Sequence, residues 1–195
     1  MKNLPELIGK DLWFGDFSYN PILLRKYFSW LNNPDSEPLI GPVSETTVEL
    51  VEQMLHENEE DGSIKHWCVY IGLYPSKENP VGDFSLKTLN SENEFARYDG
   101  DFSKFPKSEE LTILIGQEYA GRGLGKKAMK LGLNHAFSKG ANAVYLGVRI
   151  NNVAAIGLYK KCNFTTLRQC TDSDGKEELI MKLTPQKWNA IKDKL

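Results

Sequence analysis

The sequence predicts a mixed α/β fold: a sheet with helices packed against it, in a single domain over residues 1–195. Three observations predict it. Short apolar or alternating runs bounded by turn residues recur between longer stretches of helical spacing. With 41% hydrophobic and 26% charged side chains, the 195 residues have ordinary globular composition, and a chain this long needs no disulfide or metal support. No internal repeat or linker divides it.

The elements follow in order. Asp11–Phe17 alternates as a strand does. Pro21 opens an amphipathic helix through Leu23, Leu24, Tyr27, Phe28 and Leu31, and Asn32-Asn33-Pro34 stops it. Ser44 is the expected cap of a second helix, in which Val48, Val51 and Leu55 recur at helical spacing, with Thr47 where a capping box would carry Glu. Asp61-Gly62 ends that helix. Strands are expected at His66–Leu73 and Val81–Leu89 around the Pro75–Pro80 turn region. Asn90–Ser108 has little periodicity and reads as a long connection or flap. Leu111–Ile115 is a continuous apolar strand, Gly121–Gly125 a glycine-rich turn and Leu124–Ser138 a helix ended by Lys139-Gly140. A buried strand at Ala143–Val148 precedes a helix at Val153–Lys161. Thr165–Cys170 and Glu177–Leu183 flank Asp172-Ser173-Asp174-Gly175 as a hairpin, and Trp188–Leu195 reads as a terminal helix.

Several functions are disfavoured. A formal net charge of −2 argues against a nucleic-acid binder resting on bulk basicity. No run approaches the roughly 18 apolar residues of a membrane span, and Met1–Glu6 lacks the apolar core of a signal peptide. A soluble, cytoplasmic protein is expected. Cys68, Cys162 and Cys170 form no C-x-x-C pair, and His56, His66 and His135 stand at no ligand spacing, so no metal site is expected. Charge is segregated: Asp35–Asp61 holds nine acids and no Lys or Arg, and Ala120–Thr171 holds nine bases and no Asp or Glu. Either run alone reads as a solvated face. Together they suggest one surface for an anion and another for a cation.

The segment that carries chemistry is Gln117-Glu118-Tyr119-Ala120-Gly121-Arg122-Gly123-Leu124-Gly125-Lys126-Lys127, between strand and helix. Alternate glycines allow close backbone approach, and amides at a helix N-terminus are free donors, so the segment is suited to phosphate or pyrophosphate. Lys126 and Lys127 have the wrong sign for the first helical turn, a cost a bound polyanion would reverse. The same residues also suit a plain left-handed turn with solvated lysines. The spacing fits neither a Walker loop nor the dinucleotide fingerprint G-x-G-x-x-G, and no acid follows about 20 residues on.

This run resembles the acyl-CoA-binding loop of the GNAT superfamily of N-acetyltransferases, Gln/Arg-x-x-Gly-x-Gly/Ala. Gly123 and Gly125 match, while Ala120 replaces the Gln or Arg. Asn152 to Phe164 is similar to a second family stretch, Asn-x-x-Ala-x-x-Leu-Tyr-x-Lys-x-Gly-Phe, with Asn163 in place of Gly. Trp30-Leu31-Asn32 and Val81-Gly82-Asp83 also resemble the branch that includes ribosomal-protein and aminoglycoside N-acetyltransferases.

The resemblance implies a mostly antiparallel, splayed sheet with acetyl-CoA entering between the Leu111–Ile115 and Ala143–Val148 strands. It implies cofactor contacts from Ile113, Leu114 and Ile115, with Ile113 and Ile115 pairing the pantetheine amides. It extends them to the loop residues Ala120, Gly121, Arg122, Gly123, Leu124, Gly125 and Lys126 around the pyrophosphate, and to Asn152. Tyr159 stands where the family places the general acid. Glu110 is the candidate base, with Asp83, His66 or a water chain as alternatives. A period-two strand puts Glu110, Thr112 and Leu114 on one face and Glu109 on the other. His135, in mid-helix, reads as a packing histidine.

The implied activity is acetyl transfer from acetyl-CoA to a primary amine by direct attack in a ternary complex. The acid-rich Asp35–Asp61 run falls where the family builds the acceptor side. It suggests a small cationic amine or a protein N-terminal amine, and reads equally as a solvated helix face. The other-class alternative is an acyl-CoA-binding module or sensor without catalysis. The partners expected are therefore an amine, with no membrane and no nucleic acid, and strand edges leave room for a homodimer.

Overall fold

The computed structural model describes residues 7–17, 21–40, 47–74, 76–98, 106–172 and 175–195. Alternating apolar residues make one eight-stranded sheet in the order β1-β2-β3-β4-β5-β6-β8-β7. Strands β1 (Leu7–Ile8), β2 (Leu12–Asp16), β3 (Ile64–Ile71), β4 (Pro80–Thr88) and β5 (Ser108–Ile115) are antiparallel neighbours. On the far side β6 (Ala143–Arg149) pairs antiparallel with β8 (Glu177–Leu183), and β8 with β7 (Thr165–Thr171). The two halves meet at one parallel contact, β5 with β6.

Period-two side chains separate the two faces. Phe14, Trp67, Phe84, Leu111 and Leu146 point to one face, in a cluster with Met129 and Leu133 of α5 (Leu124–Ser138), Tyr159 of α6 (Val153–Lys161) and Trp188 of α7 (Pro185–Asn189). Trp13, Cys68 and Tyr70 point to the other, under Leu23, Leu24, Tyr27 and Trp30 of α1 (Pro21–Leu31) and Val51 of α3 (Val48–Asp61). Further along that face Tyr145 and Ile180 pack with Phe95 of α4 (Glu92–Ala96) and Tyr98. A strand buried on both faces accounts for the continuous apolar runs in the sequence.

The helices α5 and α6 and the strand β8 have the predicted bounds. Other expectations are corrected. The cap of α3 is Thr47, whose Oγ1 accepts from the Leu50 amide; the expected cap, Ser44, lies outside the described residues. A short helix α2 (Glu37–Ile40) follows α1, and α4 occupies the start of the expected flap, capped by Ser91; residues 99–105 of that segment are outside the described set. The terminal helix starts at Pro185, after Thr184, and ends at Asn189, because Pro suits the first helical position. Pro75, Ser173 and Asp174 of the two expected turns are also outside the described residues. Asn163 has φ 67, the left-handed conformation expected of a residue replacing Gly, and its Nδ2 donates to the Lys187 carbonyl at 2.8 Å.

Candidate active site

The contact between β5 and β6 is brief. Only Ser108, Glu109 and Glu110 pair, with Ala143, Val144 and Tyr145, and beyond them the strands part. Hydrogen-bond parity shows what the opened edge of β5 offers. Ser108 accepts from the Leu89 amide at 3.0 Å and the Gly116 amide donates to Val81 at 2.9 Å, so even-numbered residues bond toward β4. Lys107 accepts from the Asn142 amide on the β6 side, so odd-numbered residues face the gap. Ile113 and Ile115 therefore present main-chain donors and acceptors to the opening, as an added strand requires. Leu114 differs: its main chain turns toward β4 and its side chain packs against the cluster under α1 and α3.

The glycine turn stands at the end of this edge, after a single 3-10 turn, Gln117–Tyr119. Gly121 and Gly123 have φ 76 and 73, left-handed values that glycine adopts without a Cβ penalty. Gly123 is the N-cap of α5 and brings no side-chain hydrogen bond, so the amides of Leu124, Gly125 and Lys126 point outward without intrahelical acceptors. Ala120 departs from the expectation, because its amide donates to the Gln117 carbonyl at 3.0 Å. Arg122 folds back, its Nη2 donating to the Glu118 carbonyl at 3.1 Å and its guanidinium lying 5.5 Å from the Tyr119 ring centre. Lys127 is not reserved for an anion either: it pairs with Asp11, lowering the pKa of that carboxyl.

Helix α6 borders the turn: a Cβ on Gly125 would lie 3.1 Å from Leu158 Cδ2 and 4.0 Å from Ile115 Cγ1. Asn152 caps α6, its Oδ1 accepting from the Ala155 amide at 3.1 Å, which leaves the Nδ2 donors for another partner. Tyr159 is buried beside Phe164, and burial raises the pKa of its phenol.

On the opposite face of the sheet, alternate residues of three strands line a cavity of about 210 Å³. Ile64 and His66 come from β3, Asp83, Ser85 and Lys87 from β4, Glu110 and Thr112 from β5, and Tyr27 of α1 covers one side. Glu109 points to the other face, where it pairs with Lys65 at 2.9 Å. His66 Nε2 is 2.7 Å from Asp83 Oδ2, and its ring stacks on Phe17 at 4.2 Å. Lys87 pairs with Glu94, and Arg97 Nη1 lies 3.6 Å from Glu110. Burial, with the nearby Asp83 charge, raises the pKa of Tyr27.

The acid-rich run is placed differently. Glu49, Glu57 and Glu60 are exposed on α3, Glu45 lies outside the described residues, and the cavity carboxylates are Asp83 and Glu110 instead. His135, half-buried, packs edge-on against Trp67. Tyr27, Ser85, Lys87 and Thr112 complete the cavity; alternation along each strand is visible in the sequence, but the register that brings them together is not.

Helix α1 is tied to the end of β5 on this side. Trp30 Nε1 donates to Glu118 Oε1 at 3.0 Å, Asn33 to Gln117 at 3.1 Å, and Lys26 Nζ to the Tyr119 hydroxyl at 2.6 Å. Asn151, past the end of β6, donates to the Pro38 carbonyl in α2 at 2.9 Å. The α1–α2 segment thus straddles the parting strands.

Residues 20–164 match the Acetyltransferase (GNAT) family. The chain belongs to the GNAT acetyltransferases. Spermine/spermidine N(1)-acetyltransferase of Bacillus subtilis strain 168 is 30% identical over 125 residues, 64% of this GNAT chain and 76% of that protein. Mycothiol acetyltransferase of Corynebacterium glutamicum strain R is 38% identical over 61 residues, and the match spans only 21% of its length. Among solved structures, spermidine N-acetyltransferase from Vibrio cholerae, in complex with CoA and spermine, has a TM-score of 0.71 at 17% identity, covering 93% of this chain and 99% of that one. An aminoglycoside acetyltransferase in complex with coenzyme A has a TM-score of 0.66 at 19% identity, covering 86% and 92%. These likenesses show a shared GNAT fold, as the sequence motifs imply. No helix among the described residues is long and apolar enough to cross a membrane.

Proposed function

We propose that this GNAT chain transfers an acetyl group from acetyl-CoA to a primary amine of a small cationic molecule or a protein N-terminus, by direct attack in a ternary complex. The observation that carries the reading is the parting of β5 from β6 after Glu110 and Tyr145, with the Ile113 and Ile115 main chain facing the gap and the outward amides of the glycine turn at its end. Those donors suit a pantetheine arm followed by a pyrophosphate. Acetyl-CoA, when bound, supplies the acyl group as a thioester. Gly121 to Lys126 hold its phosphates, Ile113 and Ile115 pair with its amides, and Asn152 reaches the arm through Nδ2.

On the acceptor side, Asp83 and Glu110 favour a positive charge in a cavity of about 210 Å³, room for an amine-bearing arm. The similarity to a spermine/spermidine N(1)-acetyltransferase supports a cationic acceptor. A primary amine is mostly protonated at pH 7, so a base must take one proton before attack. Tyr159, whose phenol is protonated at neutral pH, acts as the proton donor to the leaving sulfur. Cys68, Cys162 and Cys170, all free thiols, suit a reducing, cytoplasmic setting.

The test is a panel of amines, with spermidine, an aminoglycoside and a basic peptide among them, incubated with acetyl-CoA. Free thiol and the product mass are measured together. Release of thiol matched by a mass gain of one acetyl group is expected for at least one cationic amine. Stabilisation by acetyl-CoA with no amine turned over would leave an acyl-CoA-binding module in place of an enzyme.

A further inference from the structure

Among the residues that line the cavity, two buried polar atoms lack partners in the described residues, and both belong to the His66–Asp83 pair. The side chains are 10% and 3% exposed, with His66 Nε2 2.7 Å from Asp83 Oδ2. Among the described residues neither His66 Nδ1 nor Asp83 Oδ1 has a hydrogen-bond partner. Polar atoms buried in this way are costly and require a reason, such as a ligand that completes them.

We propose that His66 is the catalytic base of the acetyl transfer and that Asp83 is its positioning residue. The inference rests on the reading of this cavity as the acceptor site. A carboxylate only accepts, so the shared proton sits on Nε2 and the lone pair is left on Nδ1. The Phe17 ring, stacked at 4.2 Å, and Tyr27, 6.5 Å away and edge-on, fix the imidazole plane. Glu110, the base that the family resemblance points to, lies 3.6 Å from Arg97 Nη1 and has no ring to orient its lone pair, and its charge adds to that of Asp83 in favouring the ammonium. The groups that share the cavity with His66 are Asp83 and Lys87 from β4, Glu110 from β5 and Tyr27 from α1; α3 contributes none of the described lining residues.

The proton balance closes. His66 takes one ammonium proton at Nδ1, and the freed nitrogen pair forms the C–N bond while the C–S pair returns to sulfur. Tyr159 protonates that sulfur and is restored by the second nitrogen proton. His66 then releases its proton to solvent, so ammonium and thioester become amide, thiol and one proton.

The experiment compares wild type, His66→Gln and Asp83→Asn with spermidine as acceptor, beside nitrogen-15 NMR of the labelled protein without acetyl-CoA. His66→Gln should lower kcat by about 100-fold or more, abolish the rise of kcat with pH on the acid side and leave the Kd for CoA unchanged. The wild-type His66 resonances should report the Nε2–H tautomer, and Asp83→Asn should weaken that preference and lower kcat. If His66→Gln fails to fold, the tautomer and the Asp83→Asn rate decide. An Nδ1–H tautomer, or a kcat retained in His66→Gln, overturns the assignment while leaving the transferase reading intact. A wild-type protein that binds CoA but acetylates no amine overturns both.

Discussion

The ring of Phe84 in β4 occupies the space that a side chain at Gly132 in α5 would need. A Cβ on residue 132 would fall 2.2 Å from Phe84 Cζ, and Phe84 is fully buried. The long helix can therefore lie close on the sheet only because this position has no side chain.

Gly132→Ala should destabilise the protein by about 1–3 kcal/mol through overpacking. Alanine would gain about 1 kcal/mol over glycine at an open helical site, so the two effects predict opposite signs. Urea denaturation measures the sign. A more stable variant would mean that α5 does not bear on β4 at this contact.

Gly123 and Gly140 form a matched pair for the glycine turn. Both are left-handed, φ 73 and 90, and a Cβ at either meets no atom within 4 Å. Alanine at each should cost similar backbone strain, about 1–2 kcal/mol. Only Gly123→Ala should also weaken CoA binding, by about tenfold or more, a change of about 1.4 kcal/mol or more. Calorimetry on the two variants separates a binding role from a folding role. Equal CoA affinity would remove the phosphate seat from this turn.

Tyr159→Phe removes the hydroxyl of a buried phenol. Turnover should fall by about 100-fold, with the Kd for CoA unchanged and a melting temperature close to that of wild type. An unchanged kcat would assign Tyr159 to packing against Phe164.

The pH dependence of stability should carry a contribution from His135. Burial, reinforced by Lys65 and Lys139 and opposed by Glu109, lowers its pKa below the ordinary value of about 6.5. Between the folded and unfolded values the unfolded chain binds more protons. The contribution is therefore full above about pH 6.5 and is lost as pH falls through that value toward the folded pKa. Melting curves of wild type and His135→Gln between pH 5 and 8 should converge on the acid side; parallel curves would contradict the shift.

The parts legible in the sequence are those specified by local rules. Helix α5 runs from the residue after Gly123 to the residue before the Lys139-Gly140 stop, and α6 starts after its Asn152 cap, so capping chemistry fixed their ends. Short pieces escaped: α2 has four residues and α4 five, too few for a periodic signal. Thr47 was passed over as the cap of α3 because Ser44 satisfies the same rule. In the site, the glycine turn was readable as a motif because Gly121, Gly123 and Gly125 lie within five consecutive residues. On the acceptor side Glu110, Asp83 and His66 could be named as candidates, but their meeting could not, because His66 and Asp83 are 17 residues apart and meet only through the diagonal of the β3–β4 register, in which His66 opposes Ser85 and Asp83 opposes Cys68.

Strand β5 is written in alternate letters: its odd residues turn main chain to the gap beside β6 and its even residues turn the Glu110 and Thr112 side chains into the cavity. Such a strand tolerates respelling but not a change of reading frame. Loss or gain of a single residue between Glu110 and Ile115 would exchange the two edges and the two faces at once, disrupting the gap and the cavity together.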